Sequence, residues 1–264
     1  MTARTSLPRW TNLGCLLGLV LILSGALSAC ATPPPADDAD AVADYQAAND
    51  PLEPTNRVLF AINNGLDVVI LRPLALAYHY GVPDTVRSHT HNLLVNLGTP
   101  TVLANDMLQG KPRRAGDTLM RMAINTTVGV VGLFDVAADW GYPIHDSDFG
   151  MTLALWGMPD GVFLMLPLVG PSNLRDGVGF AADSVADPLG WIGQGEAVTD
   201  LRLVRIGLGA VDARERVLTE LDRINAQALD PYATIRSLSR QNRQAQIDEA
   251  RGDTRATAPW PAAK

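Results

Sequence analysis

A stretch of twenty-six residues, Phe149–Leu174, contains a single charged side chain, Asp160, and this limits the folds open to the chain. Seven glycines and prolines interrupt the stretch. They exclude a straight transmembrane helix, because breaks in a helix leave backbone groups without hydrogen-bond partners in hydrocarbon. A second segment, Met122–Phe134, has thirteen residues without a charge. Two interpretations stay open: a Gly/Pro-rich loop in a protein core, or a re-entrant membrane segment that lines a passage.

The first thirty residues have the features of a bacterial lipoprotein signal. Arg4 and Arg9 precede an apolar run over residues 13–27. The run is shorter than the ~20 apolar residues that a membrane-spanning helix needs. It ends in Leu-Ser-Ala-Cys, a lipobox that predicts cleavage of residues 1–29 and acylation of Cys30. An ordinary secretory signal with a chance cysteine is the alternative. Ala31 replaces the aspartate that commonly retains lipoproteins in the inner membrane, so the outer membrane is the predicted location.

The mature chain divides into a tether at residues 30–48, a helical domain at 49–250, and a tail at 251–264 that we predict to be disordered. Three consecutive prolines stiffen the tether. Cys15 leaves with the signal, so Cys30 remains alone, which excludes a disulfide framework and a multi-thiolate zinc site. Two arginines also leave, and the formal charge changes from −7 to −9. This negative charge argues against nucleic acid as a partner.

Helical patterns cover most of the mature chain and predict an all-α fold. We expect the first helix to begin with Asp50 as its cap, Pro51 in its first position and Glu53 closing a capping box. Glycine or proline marks nearly every later boundary. Residues 161–168 are expected to be extended or one arm of a hairpin. Further helices are expected over about 84–97, 101–109, 113–128, 173–186, 200–228 and 231–249.

Sequence motifs for catalysis are missing. A Gly-x-Ser-x-Gly nucleophile elbow does not occur, and we expect Ser172 to cap the helix that follows it. His89 and His91 are two residues apart and face different sides of a helix, which excludes chelation by an i,i+4 pair. His79 and His145 stand alone, and surface or core roles are expected. A phosphate-binding loop is absent. We therefore expect no enzyme activity, no metal and no cofactor.

Three longer motifs follow one another in the chain. Residues 49–57 read NDPLEPTNR, residues 121–135 match R-x-x-x-N-T-x-x-G-x-x-G-x-x-D, and residues 166–176 match L-P-x-x-G-P-S-x-x-R-D. With shorter matches between them, they resemble the MlaA (VacJ) family of outer-membrane lipoproteins over residues 49–246. Pro159 and Val162, with Asp160 between them, depart from the family's usual turn. The resemblance assigns structural roles to Asp50, Pro51, Asn56, Arg57, Asn125, Asp135, Pro171, Arg175 and Asp176.

The resemblance implies an all-α, ring-like lipoprotein with an amphipathic channel, monotopic in the inner leaflet of the outer membrane. It implies that mislocalised phospholipids pass from the outer leaflet through the channel to a periplasmic carrier, MlaC, which maintains lipid asymmetry. A trimeric porin is the implied partner in the membrane. The alternative is a porin-associated structural lipoprotein without transport activity, and the missing nucleophile disfavours a lipid hydrolase.

Two groups of residues are candidates for the transport path. On the long helix, Arg205, followed by Arg202, is the candidate to meet the lipid phosphate. Gly157 and Gly161 are the candidates for a hinge in a loop at the channel.

Overall fold

A computed structural model of the chain describes residues 50–187 and 196–252. The predicted signal, Cys30 and the tether lie outside the described residues, as do residues 253–264 of the predicted tail. Within the described residues helices dominate and one two-stranded sheet is present, so the all-α prediction is confirmed. Arg251 and Gly252, which were assigned to the tail, instead belong to the last helix.

The elements of the described residues are numbered in chain order. A π-helical turn, Asp67–Leu71, joins the first two helices without a break in the chain path. The elements are α1 Glu53–Leu66, α2 Arg72–Gly81, α3 Asp84–Leu108, α4 Pro112–Thr127, α5 Val136–Asp139, α6 Phe149–Leu155, β1 Phe163–Leu166, β2 Gly170–Asn173, α7 Leu174–Ala186, α8 Glu196–Arg216, α9 Leu218–Gln227 and α10 Pro231–Gly252.

Two helix boundaries differ from the sequence prediction. The helix α3 continues through Pro100, where two helices were predicted, and both α4 and α8 pack against it. The predicted helix over 200–228 is instead two helices, with Val217 outside the helical region between them. This break lets Asp222 on α9 reach Arg214 on α8, at 3.0 Å.

Two predicted helix caps are wrong. The helix α1 begins at Glu53, and no side chain caps its N-terminus. The carboxylate of Asp50 is buried instead and accepts hydrogen bonds from distant residues, because burial leaves it no water to bind. Asn173, rather than Ser172, caps α7: its side-chain oxygen accepts from the Asp176 N–H at 2.8 Å. The hydroxyl of Ser172 donates to the Asn173 carbonyl.

The charge-poor segment Phe149–Leu174 folds as α6, a turn and a β-hairpin, which confirms the predicted hairpin arm. The strands β1 and β2 are antiparallel, and Met165 lies opposite Pro171. The helix α1 holds the hairpin through two asparagines. The Asn56 side-chain oxygen accepts from the Met165 N–H at 2.9 Å, and Asn63 binds both Leu166 and Leu168 across the turn.

The interior of the described residues is unusually rich in paired charges. One apolar cluster contains Met151, Ala154, Ile247 and Ala250, and another contains Phe163, Met165 and Tyr232. Both are small. Buried ionic side chains are at least as numerous as the residues of these two clusters. Because isolated charges are costly to bury, the ionic side chains occur in pairs and networks. They include Asp50, Asp106, Arg113, Arg114, Asp117, Arg121, Arg175, Asp212 and Arg214.

One of these networks holds the π-helical turn against the rest of the protein. The Arg214 side chain on α8 is 3% exposed and donates to both carboxylate oxygens of Asp67, at 2.7 and 3.0 Å. The same guanidinium reaches Asp222, which also accepts two hydrogen bonds from Arg72. The extra residue of a π-helical turn changes the helix phase, so that Asp67 faces inward while Val69 stays 73% exposed.

We expect Arg214→Ala to lower the free energy of unfolding by about 3 kcal/mol, because it leaves Asp67 half-buried without its counter-charge. Chemical denaturation of the detergent-solubilised protein measures the change. Arg251→Ala is the control, since its pair with Asp248 is exposed on both sides. We expect that variant to stay within about 0.5 kcal/mol of the parent. Equal losses in the two variants would contradict the structural role of Arg214.

Candidate functional site

The first candidate surface is Glu53–Gly81, which we call the apolar belt. It comprises α1, the π-helical turn and α2, twenty-nine residues in all. Among the described residues it is the one helical stretch long and apolar enough to cross a membrane. Only 6% of its most apolar part is buried. A core helix of a soluble protein would be mostly buried, whereas this segment leaves its outer side exposed.

The inward face of the belt carries both polar and apolar side chains. Asn56 is 1% exposed and binds the hairpin, and Asp67 binds Arg214. Leu59 and Phe60 pack against the hairpin cluster. The outward side chains of the belt are aliphatic. The exposed ones are Val58, Ile62, Leu66, Val68, Val69, Ile70 and Leu74. A contiguous apolar patch of this kind marks a membrane or protein interaction surface.

The first half of α8 is a second apolar surface, and it carries the predicted head-group arginines. The Arg205 side chain is half-buried and donates to Asp187 at 2.7 Å, while Arg202 is exposed. Around them, the exposed apolar side chains are Leu201, Leu203, Val204 and Ile206. The structure thus places a paired guanidinium at an apolar surface, and the contact of Arg205 with lipid phosphate stays a prediction.

A cavity of about 890 Å³ lies between α10 and the turn at residues 157–160. The turn contributes one acidic side chain, Asp160, whose carboxylate lies 3.9 Å from the Arg240 guanidinium. Guanidinium groups dominate the charged lining, and they come from Arg175, Arg236, Arg240, Arg243 and Arg251. This cavity could not be predicted from the sequence, because only Arg175 belongs to one of the longer sequence motifs and the fold brings the arginines of α10 to it.

The predicted hinge glycines bracket the turn that lines this cavity. Gly157 has φ +95° and Gly161 has φ +69°, a region that L side chains rarely adopt. A Cβ atom on Gly161 would also lie 3.0 Å from the Leu174 Cβ. The turn is tied to α7, since the Asp160 carbonyl accepts from the Arg175 N–H at 3.2 Å. The geometry explains why glycine is required at both positions, while movement about them stays a prediction.

Arg243 forms the wall between the cavity and two carboxylates. Its guanidinium donates to both oxygens of Asp148 at 2.7 Å and to both oxygens of Asp176 at 3.0 Å. Arg175 also binds Asp176, at 3.0 Å. Burial opposes ionisation of Asp176, but the hydrogen bonds from Arg243 and Arg175 outweigh it and hold the pKa of Asp176 below its usual value. The network fastens α10 to α6 and α7.

Asp50 is the centre of a second network, behind the cavity. Its carboxylate accepts from Asn56 at 2.7 Å, from Arg236 at 2.8 Å and from the Tyr232 hydroxyl. Burial and the hydrogen bond to Asp50 raise the pKa of the Tyr232 phenol, which therefore stays neutral. These hydrogen bonds join the chain segment before α1 to the hairpin and to α10. They also fix the position of Arg236 in the cavity wall.

The remaining family-motif residues also have structural contacts. Arg57 binds Asp230 through two hydrogen bonds, at 2.6 and 3.2 Å. Asp135 caps α5 and accepts from Arg121 twice and from Asn125 once, each at 2.9 Å. These bonds fix the positions of Arg57, Asn125 and Asp135, and the roles that the family motifs assign to them stay predictions.

Sequence reasoning missed a buried cluster of Asp106, Thr118 and His145. The Asp106 carboxylate is 0% exposed and accepts from Thr118 at 2.6 Å and from His145 Nε2 at 2.8 Å. A hydroxyl, an imidazole and a carboxylate are the groups of a catalytic triad, but in a triad the acid and the nucleophile bind different ring nitrogens. Here both approach Nε2, and the Thr118 hydroxyl is buried. The cluster therefore joins α3 and α4 to the loop before α6 and does not activate a nucleophile.

The other histidines have separate partners. The ring of His89 binds the Leu133 carbonyl at 2.9 Å, and His91 binds Asp212 at 2.8 Å. His79 binds Glu215 on α8 at 2.7 Å. The different partners of His89 and His91 agree with the expectation that they face different sides of α3.

The fold and its outward-facing apolar side chains define a helical protein with an exposed apolar surface of the kind that contacts membranes or other proteins. The chain belongs to the MlaA lipoprotein family, whose model matches residues 48–246. It is 32% identical over 197 residues to the intermembrane phospholipid transport system lipoprotein MlaA of Escherichia coli K12, covering 73% of this chain and 76% of the relative. The Haemophilus influenzae protein of that name is 31% identical over 235 residues, covering 87% of this chain and 91% of the relative.

A solved structure gives the same result at the level of the fold. It was described as the structural basis for maintenance of bacterial outer membrane lipid asymmetry. The TM-score is 0.65 and the sequence identity is 30%, covering 75% of this chain and 98% of the other. The family resemblance of the sequence motifs is confirmed.

The lowered pKa of Asp176 predicts an acid-dependent loss of stability. Since the folded value lies below the ordinary 3.8, ionised Asp176 stabilises the fold above that pH, and this contribution is lost as the pH falls through the folded value. We expect Asp176→Asn to lower the thermal midpoint at about pH 6, and the difference from the parent to shrink at about pH 3. Asp248→Asn, at an exposed position, is the control. A difference that is the same at both pH values would contradict the assignment.

Proposed function

We propose that this protein is the outer-membrane lipoprotein of an Mla-type pathway, and that it passes mislocalised phospholipids from the outer leaflet through a channel to a periplasmic carrier. The observation that carries the proposal is the apolar belt, a helical stretch of twenty-nine residues with exposed aliphatic side chains from Val58 to Leu74. The names of the E. coli and H. influenzae relatives, which refer to intermembrane phospholipid transport, support the same function.

The belt favours a position within one leaflet over a transmembrane span. Its inward face is bonded to the body of the protein along its length: Arg57 to Asp230, Asp67 to Arg214, and His79 to Glu215. A helix of twenty-nine residues extends about 43 Å. If it crossed the hydrocarbon, those ionic partners would have to cross it as well, at a high cost in desolvation. We infer a monotopic ring that lies in the inner leaflet of the outer membrane.

Lipid transfer by this protein requires a path that shields the acyl chains from water, and it does not require nucleotide hydrolysis. Moving two acyl chains through water costs more than about 20 kcal/mol, at about 0.8 kcal/mol per CH₂ group. The sequence contains no phosphate-binding loop that would couple transfer to a nucleotide. The protein therefore lowers the barrier by offering an apolar surface to the tails and polar groups to the head group, and it acts without enzymatic chemistry.

Arg205 and Arg202 are the proposed contacts of the phosphate along this path. They stand among exposed aliphatic side chains of α8, so that a lipid there meets both kinds of group at once. Gly157 and Gly161 are the proposed hinge of the turn at the channel. The arginine-lined cavity lies directly beneath that turn.

The proposed partners follow from the position in the membrane. A trimeric porin covers part of the outward apolar surface, the carrier MlaC receives lipid on the periplasmic side, and acylated Cys30 holds the chain at the outer membrane. A porin-associated structural lipoprotein without transport activity is the alternative.

The deciding experiment is reconstitution of the full acylated protein with a trimeric porin in vesicles that contain labelled phospholipid. Transfer of label to a soluble carrier measures transport. We expect transfer to depend on this protein, and binding to the porin without transfer would support the structural alternative. Release of fatty acid in the same assay would contradict the non-enzymatic proposal.

Arg205→Gln tests the head-group contact. A hydrogen bond to a charged group contributes roughly 1.5–3 kcal/mol, so we expect transfer to fall by about tenfold or more at an unchanged protein level. The matched control is Arg223→Gln, at an exposed position of α9, which should transfer normally. Normal transfer by the Arg205 variant would remove this residue from the path.

A further inference from the structure

Residues Val128–Phe134 follow α4 and form the second half of the charge-free segment Met122–Phe134. We call them the apolar loop. It contains no polar side chain. Val130 and Val131 at its tip are 54% and 57% exposed, and Val128 and Phe134 are exposed at its ends. Loops that face water ordinarily carry polar or small residues, because water must solvate their surface. This loop instead consists of aliphatic residues, one phenylalanine and glycine.

Six of the seven N–H groups and four of the seven carbonyls of the apolar loop are hydrogen-bonded within the protein. Its carbonyls are served by side chains of α3: Asn96 donates to Val131, and Asn92 and His89 bind the Leu133 carbonyl. Backbone carbonyls also accept from most of its N–H groups, which are those of Val128, Gly129, Val131, Gly132, Leu133 and Phe134. An irregular loop on a water-exposed surface has no need of such internal pairing, whereas a loop in hydrocarbon does, because no water is present there to bind these groups.

The conformation of the loop directs its valines outward at a cost in strain. Val130 and Val131 have φ values of 54° and 60°, in the left-handed region that β-branched residues avoid. The glycines on either side permit the close packing. A Cβ on Gly129 would lie 2.3 Å from the Phe134 carbonyl oxygen, and one on Gly132 would lie 2.4 Å from the Asn96 Cβ. The loop is therefore held rigidly, with its aliphatic tip projecting from the body.

The helix that supports the loop follows directly after the apolar belt in the chain. The helix α3 begins three residues after the belt ends at Gly81, and its residues 89–96 support the loop. At about 1.5 Å per residue, these supporting turns lie within roughly 18 Å of the start of α3. Val86, between belt and loop, is also exposed.

We propose that the apolar loop is inserted into the acyl region of the lipid leaflet as a second insertion element beside the belt. This rests on the proposed position of the belt in the membrane. The occupant around Val130 and Val131 is lipid hydrocarbon, since their internally bonded backbone gives a protein partner no edge to pair with and needs no water. Two separated insertion elements fix the tilt of the body relative to the membrane, which one helix cannot do.

Site-directed spin labelling of the full chain in vesicles of phosphatidylethanolamine and phosphatidylglycerol tests this proposal. Cys30 is the only native cysteine after residue 29, and lipid blocks it in the mature protein, so an introduced cysteine is labelled selectively. The variant is Val131→Cys. Val69→Cys marks the belt, and Glu249→Cys, an exposed position on α10, marks water. Collision of the label with oxygen, which concentrates in hydrocarbon, is compared with collision with a water-soluble nickel complex.

We expect the label at 131 to match that at 69, with oxygen collisions exceeding nickel collisions several-fold, while the label at 249 shows the reverse. A label at 131 that behaves like the one at 249 overturns the proposal, even if the label at 69 is in lipid. Protection from both reagents also overturns it, because that result indicates a protein partner. If the label at 69 is itself in water, the membrane position of the belt fails instead. Circular dichroism confirms that each variant is folded.

Discussion

Bidentate pairing of buried arginines with carboxylates is the interaction on which the rest of this structure depends. Arg214 with Asp67, and Arg243 with Asp148 and Asp176, join helices that are distant in the chain. Such pairs are weak sources of net stability, but they impose geometry, because an arginine whose partner is displaced is left as an unpaired charge. A body assembled in this way does not need to turn its aliphatic side chains inward, and the two apolar clusters are correspondingly small.

The same bonds explain how a belt of aliphatic side chains can face outward on a defined fold. Asn56 and Asp67 supply polar inward contacts, and Leu59 and Phe60 pack on the hairpin cluster, so the outward aliphatic side chains are not required to hold the belt. The arginine-lined cavity and the glycine-bracketed turn lie on the network of Arg243, and Arg236 in the cavity wall approaches Glu53 at the start of the belt. A phospholipid has a polar head group and apolar tails. In the proposed transport, the polar interior stays accessible to the head group and the apolar exterior stays accessible to the tails.

Local patterns in the sequence predicted most helices and the hairpin arm, because glycine and proline mark their ends. Contacts between distant residues were not predictable. Asp50 has the sequence context of a helix cap, yet it binds Tyr232, 182 residues away, and the outcome depended on burial. Helical periodicity also cannot tell whether an apolar stripe faces a core or a membrane. The motif residues Asn125, Asp135 and Arg175 were found by family resemblance, whereas His145 and the cavity arginines on α10 lacked any local signal.

Photocrosslinking from the acyl chains of phospholipid tests the central claim most directly. The full acylated protein is placed in a bilayer that contains phospholipid with a diazirine at mid-chain, and the adducts are mapped by mass spectrometry. The account predicts that adducts concentrate on the outward side chains of Glu53–Gly81, such as Val58 and Val69, and are absent from the polar face of α10. A lack of adducts on Glu53–Gly81, or adducts that are as frequent on α10 as on that stretch, would contradict the account.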